Sequence, residues 1–305
     1  MDLILDPFSD LSINDINSPY EYKLKIKTFA NNTIDMVMTK IKHRIPKLHN
    51  DAFHGTMTLH SKTLTDDERE AKDAENSERA IRRAKQSVHH AARQINADHM
   101  LTLTTRENIT DRTEFLSLFT RFIRLVREKN LIDGVLHQRT ERREYHYVGV
   151  PEMQDRGAYH MHIACHGKQD LNLLRACWYV ALGGTPHDSG SNTKGQVDVR
   201  YHKRRFSGLT EQHQTALIVQ YLTKYISKSF EENRVLGTRR YARSLGIPPV
   251  NEQKQPIQST TLNGGNFFTA MQEVISVADF LGVKGDYQLW NRLDDVFVLR
   301  GNLCL

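Results

Sequence analysis

Two histidines stand one residue apart in Tyr159-His160-Met161-His162-Ile163. On a β-strand, positions i and i+2 share a face, so both imidazoles can converge on one cation. Glu152 lies upstream, and the intervening Arg156-Gly157-Ala158 has the composition of a tight hairpin connection. A hairpin folds Glu152 back across from the histidines. Two neutral nitrogens and one carboxylate, with coordination positions left open, suit a divalent ion that also binds a substrate oxygen. A second cluster is Tyr221-Leu222-Thr223-Lys224-Tyr225-Ile226-Ser227-Lys228. Tyr221 and Tyr225 are one helical turn apart, as are Lys224 and Lys228. Ile218, Val219, Leu222 and Ile226 form an apolar stripe with the tyrosines at its margin. Such a pair permits attack on phosphorus by a phenolic oxygen, with an ammonium group nearby to support charge. Each cluster taken alone also fits ordinary strand or helix surface chemistry, and only the combination points to a site.

The charge distribution permits a polyanionic partner and shows where it would be held. The chain has 305 residues and a formal net charge of +6. Residues 200–245 hold 10 Lys or Arg against 3 Asp or Glu, so the excess gathers around the tyrosines. Lys203, Arg204 and Arg205 lie between Tyr201 and Phe206, a mixture suited to phosphate contacts and base stacking along a single strand. Arg239, Arg240 and Tyr241 repeat that mixture, and Arg156 adds a cation in the hairpin connection. The 39% hydrophobic and 26% charged content excludes a disordered chain and a membrane protein. Cys165, Cys177 and Cys304 form no close pair, which argues against a disulfide framework or a cysteine-rich zinc module. No basic n-region precedes the acidic start Met1–Asp6, so a cytoplasmic protein without a membrane partner is expected.

The elements that must position these residues alternate strand and helix. Strands are expected at Tyr22–Ile26, His99–Thr105, Glu144–Val150, Tyr159–Cys165 and Gln196–Arg200. Helices are expected at Thr33–Ile45, Ser77–Ile95, from Asp111 onward, Leu171–Leu182 and Thr210–Phe230. Thr63–Ala74 reads as a polar connector, and Phe267–Phe280 shows some periodicity. The order predicts an α+β fold, an antiparallel sheet with helices packed on it. Residues 76–245 form the working domain, with appendages of unknown role at 1–75 and 246–305.

With these motifs in order, the chain resembles HUH-superfamily endonucleases of the rolling-circle replication initiator type. Leu101–Thr105 is similar to that family's first motif, His160-Met161-His162 to the second, and Tyr221–Lys228 to the third. The Tyr-x-x-x-Tyr spacing, with Lys before the second Tyr, is similar to the gene A replication proteins of isometric single-stranded DNA phages. The resemblance covers residues 77–245. It implies a palm with a five-stranded antiparallel sheet, and Mg²⁺ or Mn²⁺ held by His160, His162 and Glu152. It also implies tyrosine attack on single-stranded origin DNA, leaving a 5′-phosphotyrosyl link and a free 3′-hydroxyl, with later rejoining. Lys224 and Lys228 would position the phosphate. Both Tyr221-x-x-Lys224 and Tyr225-x-x-Lys228 fit the pattern of single-tyrosine members, so one or two nucleophiles stay open. No Gly-x-x-x-x-Gly-Lys-Ser/Thr stretch occurs, which implies a host helicase beside the DNA polymerase. The alternatives are an HUH relaxase or transposase, or a non-catalytic DNA-binding protein. Relaxases place the tyrosine before the histidines, the reverse of the order here.

Overall fold

The computed structural model describes residues 22–41, 65–188, 193–201, 211–232, 240–257, 267–292 and 296–303. The described residues divide into two compact units. One spans residues 75–249, and the other gathers the described residues before 75 and after 249.

The first unit is built on a five-stranded antiparallel sheet. Its strands are β3 (His99–Thr105), β6 (Tyr147–Met153), β7 (Tyr159–Cys165), β8 (Gly195–Tyr201) and β9 (Ala242–Arg243), in the order β8-β3-β7-β6-β9. β7 is central and wholly buried, paired on one side with β3 and on the other with β6. The alternation of its residues therefore has two faces to satisfy. Met161, Ile163 and Cys165 join Leu101, Leu103 and Tyr147 on one face. That face packs against α2 (Arg112–Glu128) and α3 (Leu171–Ala181) through Phe115, Phe119, Phe122, Leu174 and Trp178. Asp111 caps α2 by accepting from Thr113 N at 2.6 Å, and Asp170 caps α3. The Trp178 indole donates to Thr104 O at 2.8 Å, tying α3 to β3.

The opposite face carries small residues. Met100, Val148, Val150 and Ala164 pack with Val88, Ala91 and Ala92 of α1 (Asp66–Gln94) and with Ile218, Leu222 and Ile226 of α4 (Glu211–Glu232). Beyond these apolar residues the same face continues as His160, His162, Thr102 and Thr104. A short ribbon of β4 (Lys129–Ile132) and β5 (Val135–Gln138) completes the unit. Cys165 and Cys177 are buried free thiols, which burial pushes up to about 12.

In the second unit, β1 (Tyr22–Thr28) and β2 (Thr33–Lys40) share an antiparallel sheet with β10 (Asn251–Ile257), β11 (Val283–Arg292) and β12 (Val296–Leu303), in the order β10-β1-β2-β12-β11. The stretches expected to be separate terminal appendages thus contribute strands to one sheet. Helix α5 (Phe267–Phe280) lays Ala270, Val274 and Ala278 on Leu24, Met36, Met38 and Leu299.

Two expected stretches change type, and the strand expected at Glu144–Val150 runs instead over Tyr147–Met153. Thr33–Lys40 is a strand rather than a helix, because Asn31-Asn32 turns the chain and lets β2 pair with both β1 and β12. Asn32 adopts φ 57°, a conformation asparagine tolerates better than most residues. The rest of the expected helix, residues 42–45, lies outside the described residues. The polar stretch after Thr63 is also not a connector from residue 66 on. Thr65 Oγ1 accepts from Glu68 N at 3.2 Å, and Glu68 Oε2 accepts from Thr65 N at 3.0 Å. This reciprocal box starts α1 well before the expected Ser77. No described helix is long and apolar enough to cross a membrane.

Candidate active site

The β6–β7 hairpin sets Glu152 directly opposite His160 and Val150 opposite His162. Its turn closes through Gln154 N to Ala158 O at 2.9 Å and Gly157 N to Gln154 O at 2.7 Å, with Gly157 at φ 84°. That left-handed backbone is what the glycine permits. Ala158 and Tyr159 are buried, so the turn cannot loosen without opening the core.

Above this hairpin, α4 runs with Leu222 and Ile226 buried and Tyr221 and Tyr225 half-buried at the margin of the stripe. Both tyrosines land on His162. The Tyr225 ring stacks on the imidazole with centroids 4.2 Å apart and planes 19° apart. Tyr221 meets the same imidazole edge-on at 5.5 Å and 86°. The Tyr225 hydroxyl donates to the Tyr221 hydroxyl at 2.7 Å. Burial pushes the Tyr225 phenol well above its usual value, helped by the hydrogen bond and charge of Tyr221.

One turn further, Lys228 Nζ donates to Glu152 Oε1 at 2.9 Å and approaches Met153 O at 3.4 Å. The other carboxylate oxygen, Oε2, lies 2.8 Å from His162 Nε2. The far side of that ring completes the arrangement: Nδ1 lies 3.3 Å from Thr102 Oγ1. A proton on Nε2 given to the carboxylate leaves Nδ1 to accept from the threonine hydroxyl. Burial works against the Glu152 charge, but the hydrogen bonds from His162 and Lys228 prevail and hold its carboxyl below the usual carboxylate range.

His160 is the unmatched member. It is 8% exposed, and its Nε2 is buried without a hydrogen-bond partner among the described residues. Burial lowers its pKa to about 4, with the neighbouring His162 acting in the same direction. The His160 and His162 rings are 6.5 Å apart. Among the described residues, no three His, Cys, Asp or Glu side chains are arranged to hold a metal ion. As placed, Glu152 and His162 satisfy each other. The donor types nevertheless suit a divalent cation: the imidazole–carboxylate contact shares one proton, and His160 Nε2 is buried and unsatisfied.

The other expected site residues fall differently. Lys224 is exposed on α4, one turn from Lys228, with no hydrogen-bond or ion-pair partner among the described residues. Arg156 sits exposed in the hairpin turn, donating to Gln154 Oε1 at 2.9 Å, Arg106 O at 3.3 Å and Thr105 O at 2.6 Å. Arg240 is buried rather than displayed at the surface, and burial beside Arg112 lowers its pKa. Lys203, Arg204, Arg205 and Arg239 lie outside the described residues.

Two contributors are not legible from their own segments. Thr102 belongs to an uncharged strand that offers no chemistry by itself, yet it faces His162 across the β3–β7 pair. Arg200 and Asp198 bond to each other at 3.1 Å on β8. The Arg200 pKa is raised by Asp198 first, with Tyr221 and Tyr225 contributing. The signal in both cases is the period of two: Thr102 and Thr104, then Gln196, Asp198 and Arg200, share the parity of the histidine face.

Residues 98–230 match the family model of replication-associated proteins of the ORF2 and gene 2 protein type. The matched stretch runs from the residue before β3 into α4 and contains Thr102, Glu152, both histidines, both tyrosines and Lys228. The match supports a replication initiator. No curated protein and no solved structure matches the chain.

Proposed function

We propose that the chain initiates rolling-circle DNA replication as an HUH-type endonuclease, similar to the gene A replication proteins, by nicking single-stranded origin DNA. The observation that carries this reading is the convergence of two phenols on one imidazole, with their hydroxyls 2.7 Å apart. A packing role for both tyrosines gives no reason to place two hydroxyls over a His–Glu–Lys set.

The phenolic oxygen of Tyr221 or Tyr225 bonds to phosphorus as the bond to the 3′ oxygen breaks. The electron pair leaves with that oxygen, which gains a proton as the phenol loses one. The products are a 5′-phosphotyrosyl link and a 3′-hydroxyl that a polymerase extends. No water is consumed, so the link keeps the energy needed to rejoin strands. A second nucleophilic tyrosine would allow a second cut after one round of synthesis. His160, His162 and Glu152 would hold Mg²⁺ or Mn²⁺, which when bound neutralises charge on the non-bridging oxygens. Lys228 orients the Glu152 carboxylate, and Lys224 offers an exposed ammonium to the DNA backbone. Duplex opening and extension fall to a host helicase and a DNA polymerase.

The test is incubation with single-stranded origin-like oligonucleotides and Mg²⁺ or Mn²⁺, read on a denaturing gel. A covalent protein–DNA adduct is expected, absent in the double variant Tyr221→Phe/Tyr225→Phe and in His160→Ala. DNA binding with no adduct under either metal leaves a non-catalytic DNA-binding protein and ends the enzyme reading. The single Tyr→Phe variants count the nucleophiles.

A further inference from the structure

Bordering His160, the sheet opens into a cleft of about 520 Å³. Thr104, Arg106, Gln154, Arg156, His160 and Gln196 line it. Its volume is within the range that encloses a small organic ligand, roughly 300–1,000 Å³. Among the described residues the lining holds two arginines and no carboxylate, a charge balance that favours an anion over a cation. It holds no tryptophan, tyrosine or phenylalanine among the described residues, and it is rich in hydrogen-bonding side chains. His160, whose Nε2 is buried without a partner among the described residues, is one of the lining residues, so the cleft adjoins the proposed metal ligands.

Hydrogen bonds tie the walls together. The Arg156 guanidinium spends three N–H groups on Gln154, Arg106 O and Thr105 O, and two of its five remain. Asn108 Nδ2 holds Arg156 O at 2.9 Å, and Arg106 N is held by Lys194 O at 2.8 Å. The floor is tight at Gly195, where a Cβ would lie 2.3 Å from Thr104 O and 2.7 Å from Leu182 Cδ1. Glycine there lets β8 close on β3, so that exposed Gln196 stands opposite Thr104.

Resting on the nicking reading, we propose that this cleft holds one nucleotide flanking the scissile phosphate. Arg156 and Arg106 hold its phosphate, and the Gln196 amide with Thr104 reads its base. The cleft thereby sets one letter of the nicking sequence. A side-chain amide offers a donor and an acceptor side by side, the pattern that fits a purine edge. Arg156, with its fork already fixed, binds phosphate without the cost of ordering a long side chain.

The experiment uses the full chain and a pool of randomised single-stranded oligonucleotides, with two readouts sequenced in parallel. One is DNA retained at equilibrium in the presence of chelator, and the other is DNA recovered in covalent adducts with Mn²⁺. In Gln196→Ala, discrimination at one position within two nucleotides of the cut should fall by roughly 5- to 150-fold, the worth of one bidentate base contact. Preferences elsewhere should persist. Arg156→Gln should weaken retention of all sequences alike and lower the salt dependence of binding by about one phosphate contact, without changing any letter. A base profile unchanged in Gln196→Ala at every position overturns the proposal, as does a loss spread evenly over all positions. Because Gln196 is exposed, misfolding does not confuse the result, and Gln196→Glu gives a second reading in which the preferred base should change. The equilibrium arm needs no chemistry. Absent adducts therefore strike the nicking reading alone, whereas an unchanged retention profile strikes the cleft alone.

Discussion

The two faces of the central sheet are made from the same strands and follow opposite rules. On the α2–α3 face, β7 contributes Met161, Ile163 and Cys165 to a core of large rings, with Phe122 and Trp178 meeting edge-on at 5.7 Å. On the α1–α4 face, its alternate residues are Ala164, His162 and His160, and the helices that cover it supply small and aliphatic side chains. The bulky face supplies cohesion through buried apolar area. The small-residue face brings α4 close to the sheet, so that Tyr221 and Tyr225 meet His162. Fold and site are thus specified by residues of opposite parity, and substitutions can separate them.

The largest effect on that division should come from the bulky face. Phe122→Ala should cost about 3–5 kcal/mol of unfolding free energy in urea titrations, as expected for a fully buried ring. A cost below about 1 kcal/mol would mean that the ring face is not the source of cohesion. On the site face, His162→Ala should cost less, about 1–3 kcal/mol, the range for leaving a buried hydrogen-bond partner unsatisfied. It should also reduce adduct formation at least about 100-fold. If stability falls as far as in Phe122→Ala, the two faces are not separable.

A pH titration sharpens the comparison. The folded His160 favours its neutral form, with a pKa of about 4 against 6.5 for the exposed group. Between these values the unfolded chain binds the extra proton, so stability is full above about 6.5 and falls as pH drops toward 4. In chelator-treated protein, His160→Gln should flatten that limb of the urea midpoint against pH. Glu152, held below its usual value, adds a loss of the same sign at lower pH, which Glu152→Gln should remove. Phe122→Ala should shift the whole curve down without changing its shape. The smallest effect belongs to an exposed helix end away from the site: Asp111→Ala, losing the α2 cap, should cost about 1 kcal/mol by thermal melting and leave DNA binding intact.

The parts legible in the sequence are those that local geometry dictates. The period of two puts His160 and His162 on one face, and the i, i+4 spacing puts Tyr221 beside Tyr225. The hairpin glycine places Glu152 opposite them. What escapes depends on partners distant in the chain. Thr102 acquires a role only because β3 pairs with β7, and Arg200 only because β8 pairs with β3. Thr33–Lys40 reads locally as a helix and becomes a strand because its sheet is completed by β10, β11 and β12 from the far end of the chain. Polarity misleads at Thr65–Glu68, where two side chains bonding to backbone begin a helix that hydrophobic periodicity cannot detect. Arg240 shows the opposite case, a cation whose type suits contact with DNA and whose context buries it.

β7 is paired along both edges, so its register is held twice. A slip of one residue would turn Met161 and Ile163 toward the tyrosines and drive both imidazoles into the ring core. The same error that disarms the site therefore also destabilises the sheet. Cohesion and site geometry therefore share a single register, and a chain that lost one would lose the other.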